Sequence, residues 1–326
     1  MRIAVFRALY LGDFLCSVPA LRALRKYFPM AEISLIGLAG MEHLAKRYHH
    51  YIDNFIVFPG FPLLSDNAFN PEEFQIFLEE IRKKEFDLIF QMQGNGSIIN
   101  NLLKTFNAKR IVGFCQSEKE TDENFIVYPT NLHEIERHLA LLEHIGIPSD
   151  GKEIDFPINK EDNDNYQKAK LPIIRDYICI HPGSKASWRQ WPIANFAKIG
   201  NYLTEKGFQL VITGTKPELN LINELVNEME YIPVIAAGKL SLGGTGVLLS
   251  NASFLLTNCT GISHLAAALK VPSLVISMDG EPHRWGPLNK KLHRTIDWKS
   301  YPDYNAVFKE VESISFIELH TFSGEG

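Results

Sequence analysis

Residues 181–192, His-Pro-Gly-Ser-Lys-Ala-Ser-Trp-Arg-Gln-Trp-Pro, set small and basic side chains directly after an apolar run, Tyr177 to Ile180. That composition suits an anion. Ser184, Ser187 and neighbouring amides are placed to cap a helix opened by Pro192, while Lys185 and Arg189 add positive charge for a phosphate at its N-terminus. An ordinary strand-to-helix loop with solvated cations fits the same letters. The second suspect is residues 7–13, Arg-Ala-Leu-Tyr-Leu-Gly-Asp, which again lead from an apolar run into a helical pattern. Gly12 permits close backbone approach, and Asp13 either caps the helix or works as a base.

Both segments need a strand behind them and a helix ahead. Apolar runs alternate with helical stripes from end to end, the pattern of parallel sheets covered by crossover helices. Strands are expected near 2–6, 33–37, 54–58, 87–91 and 110–113, then near 177–180, 208–212, 232–235, 253–256 and 273–277. Helices are expected over 14–28, 71–83, 133–145, 192–206, 216–229, 242–250 and 261–269. Leu15, Val18, Leu21, Leu24 and Phe28 form the buried stripe of the first. The polar stretch 159–170 separates two similar series, so the 326 residues should divide near 155–172 into two domains. Ligands of open parallel sheets lie beyond the carboxyl ends of the strands, and two such sheets facing each other would form a cleft.

Composition narrows the partner. With 33 basic and 38 acidic residues the net charge is -5, which argues against a broad nucleic-acid surface and for a small or locally charged ligand. Cys16, Cys115, Cys179 and Cys259 are scattered, giving neither a zinc pattern nor a disulfide framework, as expected in a reducing cytoplasm. Met1 leads straight into a strand without a secretory pattern, and no apolar run is long enough to span a bilayer, so a soluble chain is expected. His49, His50, His133, His138, His144 and His283 lack ligand spacing, and no metal is expected.

Residues 7–24, beginning Arg-Ala-Leu-Tyr-Leu-Gly-Asp and continuing to Leu24, resemble the opening signature of glycosyltransferase family 9, the heptosyltransferases of lipopolysaccharide core assembly. Three further segments are similar to family motifs in the same order: 86–97, 181–192 and 257–269, Thr-Asn-Cys-Thr-Gly-Ile-Ser-His-Leu-Ala-Ala-Ala-Leu. Arg284-Trp-Gly-Pro287 resembles the turn that follows. The resemblance implies an α/β fold of GT-B type, with two facing Rossmann-like domains, parallel sheets and an inter-domain cleft. It assigns 1–158 to an acceptor-side domain, 172–300 to a nucleotide-sugar domain and 301–326 to a segment crossing back to the first.

Carried over by position, the resemblance makes Asp13 the general base of an inverting, metal-independent transfer. It gives the donor Gly12, Ser184, Lys185, Arg189, Glu218, Leu240, Cys259, Thr260, Gly261 and His264. Glu218 is at the ribose position or steadies its own helix start, Leu240 packs on the base, and His264 is a diphosphate ligand or a structural histidine. The implied substrates are a nucleotide sugar, ADP-heptose, and a lipid-anchored glycan; no cofactor and no nucleic acid are implied. The implied location is the cytoplasm, with peripheral association at the inner membrane. Arg189 stands where the family usually has lysine, and Cys259 where it has an aspartate that contacts the sugar. A thiol does not accept sugar hydroxyls as a carboxylate does, which motivates two alternatives: a binding protein without transfer activity, or a member using another sugar. A sugar-nucleotide epimerase leaves the Gly12-Asp13 signature unexplained. Arg22, Arg25 and Lys26 read as a solvated helix face or an acceptor-side patch.

Overall fold

The computed structural model describes residues 1–64 and 69–317. The chain divides into two units, Met1–Pro157 and Ile158–Gly326. The first contains β1 (Arg2–Phe6), α1 (Leu11–Tyr27), β2 (Glu32–Leu38), α2 (Glu42–Arg47), β3 (Asn54–Phe58), α3 (Pro71–Lys83), β4 (Leu88–Gln91), α4 (Ile99–Lys104), β5 (Ile111–Cys115), β6 (Phe125–Val127) and α5 (Glu134–His144). The second contains α6 (Lys160–Lys168), β7 (Tyr177–His181), α7 (Ile193–Glu205), β8 (Gln209–Ile212), α8 (Leu219–Asn227), β9 (Val234–Ile235), α9 (Leu242–Ser250), β10 (Phe254–Asn258), α10 (Gly261–Ala268), β11 (Ser273–Ser277), α11 (Pro282–Trp285), β12 (His293–Asp297) and α12 (Tyr304–Ile317).

Each unit holds a parallel sheet of six strands, ordered β3-β2-β1-β4-β5-β6 and β12-β11-β10-β7-β8-β9. Counted within its own unit, each order is 3-2-1-4-5-6 or its counterpart read from the other edge, the Rossmann arrangement, and its direction reverses beside the first strand. The inner strands β1, β2, β7, β10 and β11 are largely buried and mostly apolar, as expected where helices cover both faces. Phe6, Phe58, Phe77 and Phe106 fill one core, while Ile180, Trp191, Phe196, Leu256 and Leu274 fill the other. Trp191 is the largest fully buried side chain and meets Phe196 and Trp298 edge-on at 5.0 and 5.4 Å between ring centroids.

Two edge strands are absent from the sequence-based expectation. β6 is only three residues long, and β12, His-Arg-Thr-Ile-Asp, has no apolar run and is only partly buried after His293. The polar stretch 159–170, expected as a connection, for the most part forms α6, started by a capping box between Asn159 and Asp162 and packed against α9. Its few apolar residues hide it. Val307 and Val311 of α12 join the core of the second unit, and residues 318–326 of the segment expected to cross back lie outside the described residues. No helix among the described residues is long and apolar enough to cross a membrane.

Candidate active site

In the first unit the sheet reverses between β1 and β4, and the loops after these strands hold Gly12, Asp13 and Gln93. The Ala8 amide donates to Gln93 Oε1 at 2.8 Å, tying the two loops together. Gly12 and Asp13 are the second and third residues of α1, whose N-cap is Tyr10. Asp13 is thus not the cap; its carboxylate lies within the first turn, where the amide dipoles favour negative charge.

Arg7 leaves the end of β1 with its side chain 1% exposed. Its Nε donates to the Asp13 carbonyl at 3.2 Å and one terminal nitrogen to the Met92 carbonyl. The other terminal nitrogen reaches Glu134 Oε1 at 2.9 Å and Asp13 Oδ1 at 3.4 Å. Glu134, at the start of α5, also pairs with Arg137, whose guanidinium lies 4.2 Å from the centre of the Tyr128 ring. His138, one turn along α5, is held down at about pKa 3 by burial and by the charge of Arg7, so it stays neutral. Within this cluster Asp13 keeps its side chain 25% exposed while Glu134 is 3% exposed. The carboxylate open to solvent is the one a hydroxyl can approach.

The second unit reverses between β7 and β10. After β7 the chain enters residues 182–192, and Asn258 at the end of β10 holds this loop. Its Oδ1 accepts from the Trp191 amide at 2.9 Å and its Nδ2 donates to the Pro182 carbonyl at 2.7 Å. Ser184 is buried, whereas Lys185 and Ser187 are more open to solvent. Neither serine caps α7: its N-cap is Pro192 and has no side-chain cap, because Ser187–Arg189 form a separate 3-10 turn. Arg189 stands on that turn, 4.8 Å from the Trp188 ring centre.

Arg189, 40% exposed at its side chain, faces Asp279 Oδ2 at 3.6 Å, and its Nε is buried without a partner. Asp279, 6% exposed, follows β11 and accepts from Ser277 Oγ at 2.8 Å and the Glu281 amide at 3.1 Å. The Cys259 thiol is pushed up to about 12 by burial and by Asp279, so it is neutral. Thr260 is the N-cap of α10, Gly261 its first residue, and the Thr260 hydroxyl is buried without a partner. His264 is buried one turn on, with its ring centroid 6.3 Å from that of Trp285.

Glu218 performs a local duty in full, since its Oε2 accepts from the amide and hydroxyl of Thr215 at 2.7 and 2.8 Å. It also lies against the loop after β7: a Cβ on Gly183 would fall 1.9 Å from Glu218 Oε1, so glycine alone permits this approach without displacing the carboxylate. Leu240 is half-buried just before Ser241, the N-cap of α9. Arg22, Arg25 and Lys26 are paired with Asp155, Asp53 and Asp150 within the first unit.

Of the expected residues, Gly12 and Asp13 lie at the first switch point and Ser184, Lys185, Arg189, Cys259, Thr260, Gly261 and His264 at the second, while Glu218 follows β8 and reaches Gly183, and Leu240 stands apart before α9. Glu134 and Asp279 are additions, Gln93 and Asn258 gain roles inside segments 86–97 and 257–269, and Arg7 gains a role it lacked. Nothing local marks Glu134, because its Arg7 partner lies 127 residues away.

The profile described as "Glycosyltransferase family 9 (heptosyltransferase)" matches residues 76–308. The lipopolysaccharide core heptosyltransferase OpsX of Haemophilus influenzae is 21% identical over 88% of this chain and 82% of its own. Among solved structures, a family 9 glycosyltransferase from Veillonella parvula superimposes with a TM-score of 0.77 at 20% identity, covering 96% of this chain and 97% of the other. The ADP-heptose lipopolysaccharide heptosyltransferase II of E. coli gives 0.74 at 19% identity, covering 97% and 98%.

Proposed function

The chain belongs to glycosyltransferase family 9 and is a glycosyltransferase of GT-B fold, and from that premise we propose that it moves a heptose from ADP-heptose to a lipid-anchored glycan of the lipopolysaccharide core. One observation carries this reading: a half-open carboxylate at one switch point and an unsaturated guanidinium at the other. Names of similar proteins, a core heptosyltransferase and an ADP-heptose enzyme, support the choice of sugar.

Asp13 takes the proton of the acceptor hydroxyl as the oxygen attacks the anomeric carbon, and the bond to the diphosphate breaks in the same displacement, inverting the centre. The leaving ADP gains charge as it departs. Lys185, Arg189 and the amides at Thr260 and Gly261 meet that charge, so the protein supplies what a divalent ion supplies elsewhere. Transfer should then persist in excess chelator. Ser184 and His264 line the diphosphate path, Gly12 lets the donor approach closely, Glu218 faces the ribose and Leu240 the base. Cys259 beside the sugar sets which sugar is taken. The acceptor is met at the cytoplasmic face of the inner membrane.

The test follows ADP release and product with ADP-heptose and core acceptor. Asp13→Ala should lower turnover about a hundredfold or more while donor affinity by calorimetry stays unchanged. Undiminished turnover removes the base. Donor binding with no product from any acceptor favours a binding protein, the reading that the buried, neutral Cys259 motivates.

A further inference from the structure

The first unit buries more charge than one general base requires. Arg7, Glu134, Arg137 and His138 have side chains 1–3% exposed and form one cluster, which Asp13 joins through Arg7. Two guanidiniums from β1's end and α5 face two carboxylates from α1 and α5, and His138 between them is neutral. The groups packed around this set are the Tyr128 ring under Arg137, the Pro129 and Leu132 carbonyls that accept from it, the Met92 carbonyl on Arg7, and His133 at the cap of α5. Removing one member of such a set leaves an uncompensated buried charge.

The geometry of sharing is specific. A single terminal nitrogen of Arg7 serves both carboxylates, and it lies closer to Glu134 (2.9 Å) than to Asp13 (3.4 Å). Glu134 thereby draws the guanidinium toward α5 and away from full neutralisation of Asp13. We propose that Glu134 is a positioning residue for Asp13, acting through the Arg7 guanidinium that the two carboxylates share.

The consequence is chemical. A carboxylate gripped by a whole guanidinium is a poor proton acceptor, and one with no cation beside it is poorly oriented; a divided cation holds Asp13 in place and leaves it basic. Glu134 touches no substrate in this scheme. The inference rests on Asp13 being the base, and its failure is separable from the failure of that reading.

The experiment measures the pH dependence of kcat/KM and kcat for the full chain, its Glu134→Gln, Glu134→Asp and Arg7→Gln variants, and Asp13→Ala. Glu134→Gln frees Arg7 for Asp13, so kcat should fall about tenfold with donor KM unchanged, and the acidic limb should move to lower pH. Arg7→Gln removes the cation, so the limb should move to higher pH. Glu134→Asp keeps the charge and should return the limb toward its native place. If Glu134→Gln does not fold, the direction of the Arg7→Gln limb decides in its stead. A limb that stays put in the folded variants, with activity scaled down equally at every pH, means a merely structural cluster and overturns the proposal. If instead Asp13→Ala is as active as the native chain, it is the base assignment that has failed.

Discussion

The two switch points share one kind of strand order and differ in their electrostatics. At the first, guanidiniums and carboxylates are matched inside the unit, and what remains open is a single carboxylate edge. At the second, Arg189 is only partly matched: it has a carboxylate partner at 3.6 Å and a buried Nε with none, and the Thr260 hydroxyl is likewise unpartnered. A buried donor without an acceptor is costly unless a ligand supplies one. The difference teaches that one topology, used twice, can carry different charge arrangements, and on the proposed reading these decide between orienting a base and receiving an anion.

The largest expected break in this contrast is at Arg189. Arg189→Ala should weaken binding of ADP about tenfold or more in calorimetry, and Arg189→Lys should recover only part of it, because an ammonium lacks the planar fork that grips phosphate and Asp279 together. Equal affinity in the alanine variant would mean that the second switch point is no anion site.

A smaller effect should emerge in stability at the first switch point. His138 has a folded pKa of about 3, well below the unfolded value of 6.5, so the unfolded chain binds the extra proton. Its neutral burial carries no protonation penalty above about pH 6.5, and stability is lost progressively as pH falls from there toward 3. Thermal midpoints measured from pH 7 to 4 should decline, and His138→Gln should flatten the decline. An unchanged slope would dissociate His138 from the cluster.

The smallest effect concerns Cys259. With its thiol pushed up to about 12, it should resist iodoacetamide near neutral pH in the folded protein and react once the chain is unfolded. Rapid labelling of native protein would show that the thiol is neither buried nor held neutral by Asp279.

Much of this site is legible in the amino-acid order. Arg7 to Asp13 and 181–192 stand out because a strand, a glycine or serine and a charge occur within a dozen residues, and local order alone places them beyond a strand end. The junction helix α6 and the edge strands β6 and β12 are not legible, since a polar helix is stabilised by its capping box and by α9, and a three-residue strand by its neighbour. Glu134 and Asp279 give no signal for the same reason: an acidic residue in a polar surrounding is ordinary until another segment brings a guanidinium to it.

The amino-acid order by itself determined the alternation of strands and helices and the strand-end loops in which the candidate residues fall, because apolar period and turn residues act over a few positions. Only the tertiary structure decided which charges meet. Arg7 and Glu134 are 127 positions apart and share a hydrogen bond of 2.9 Å, a pairing that burial makes strong and that no local pattern encodes.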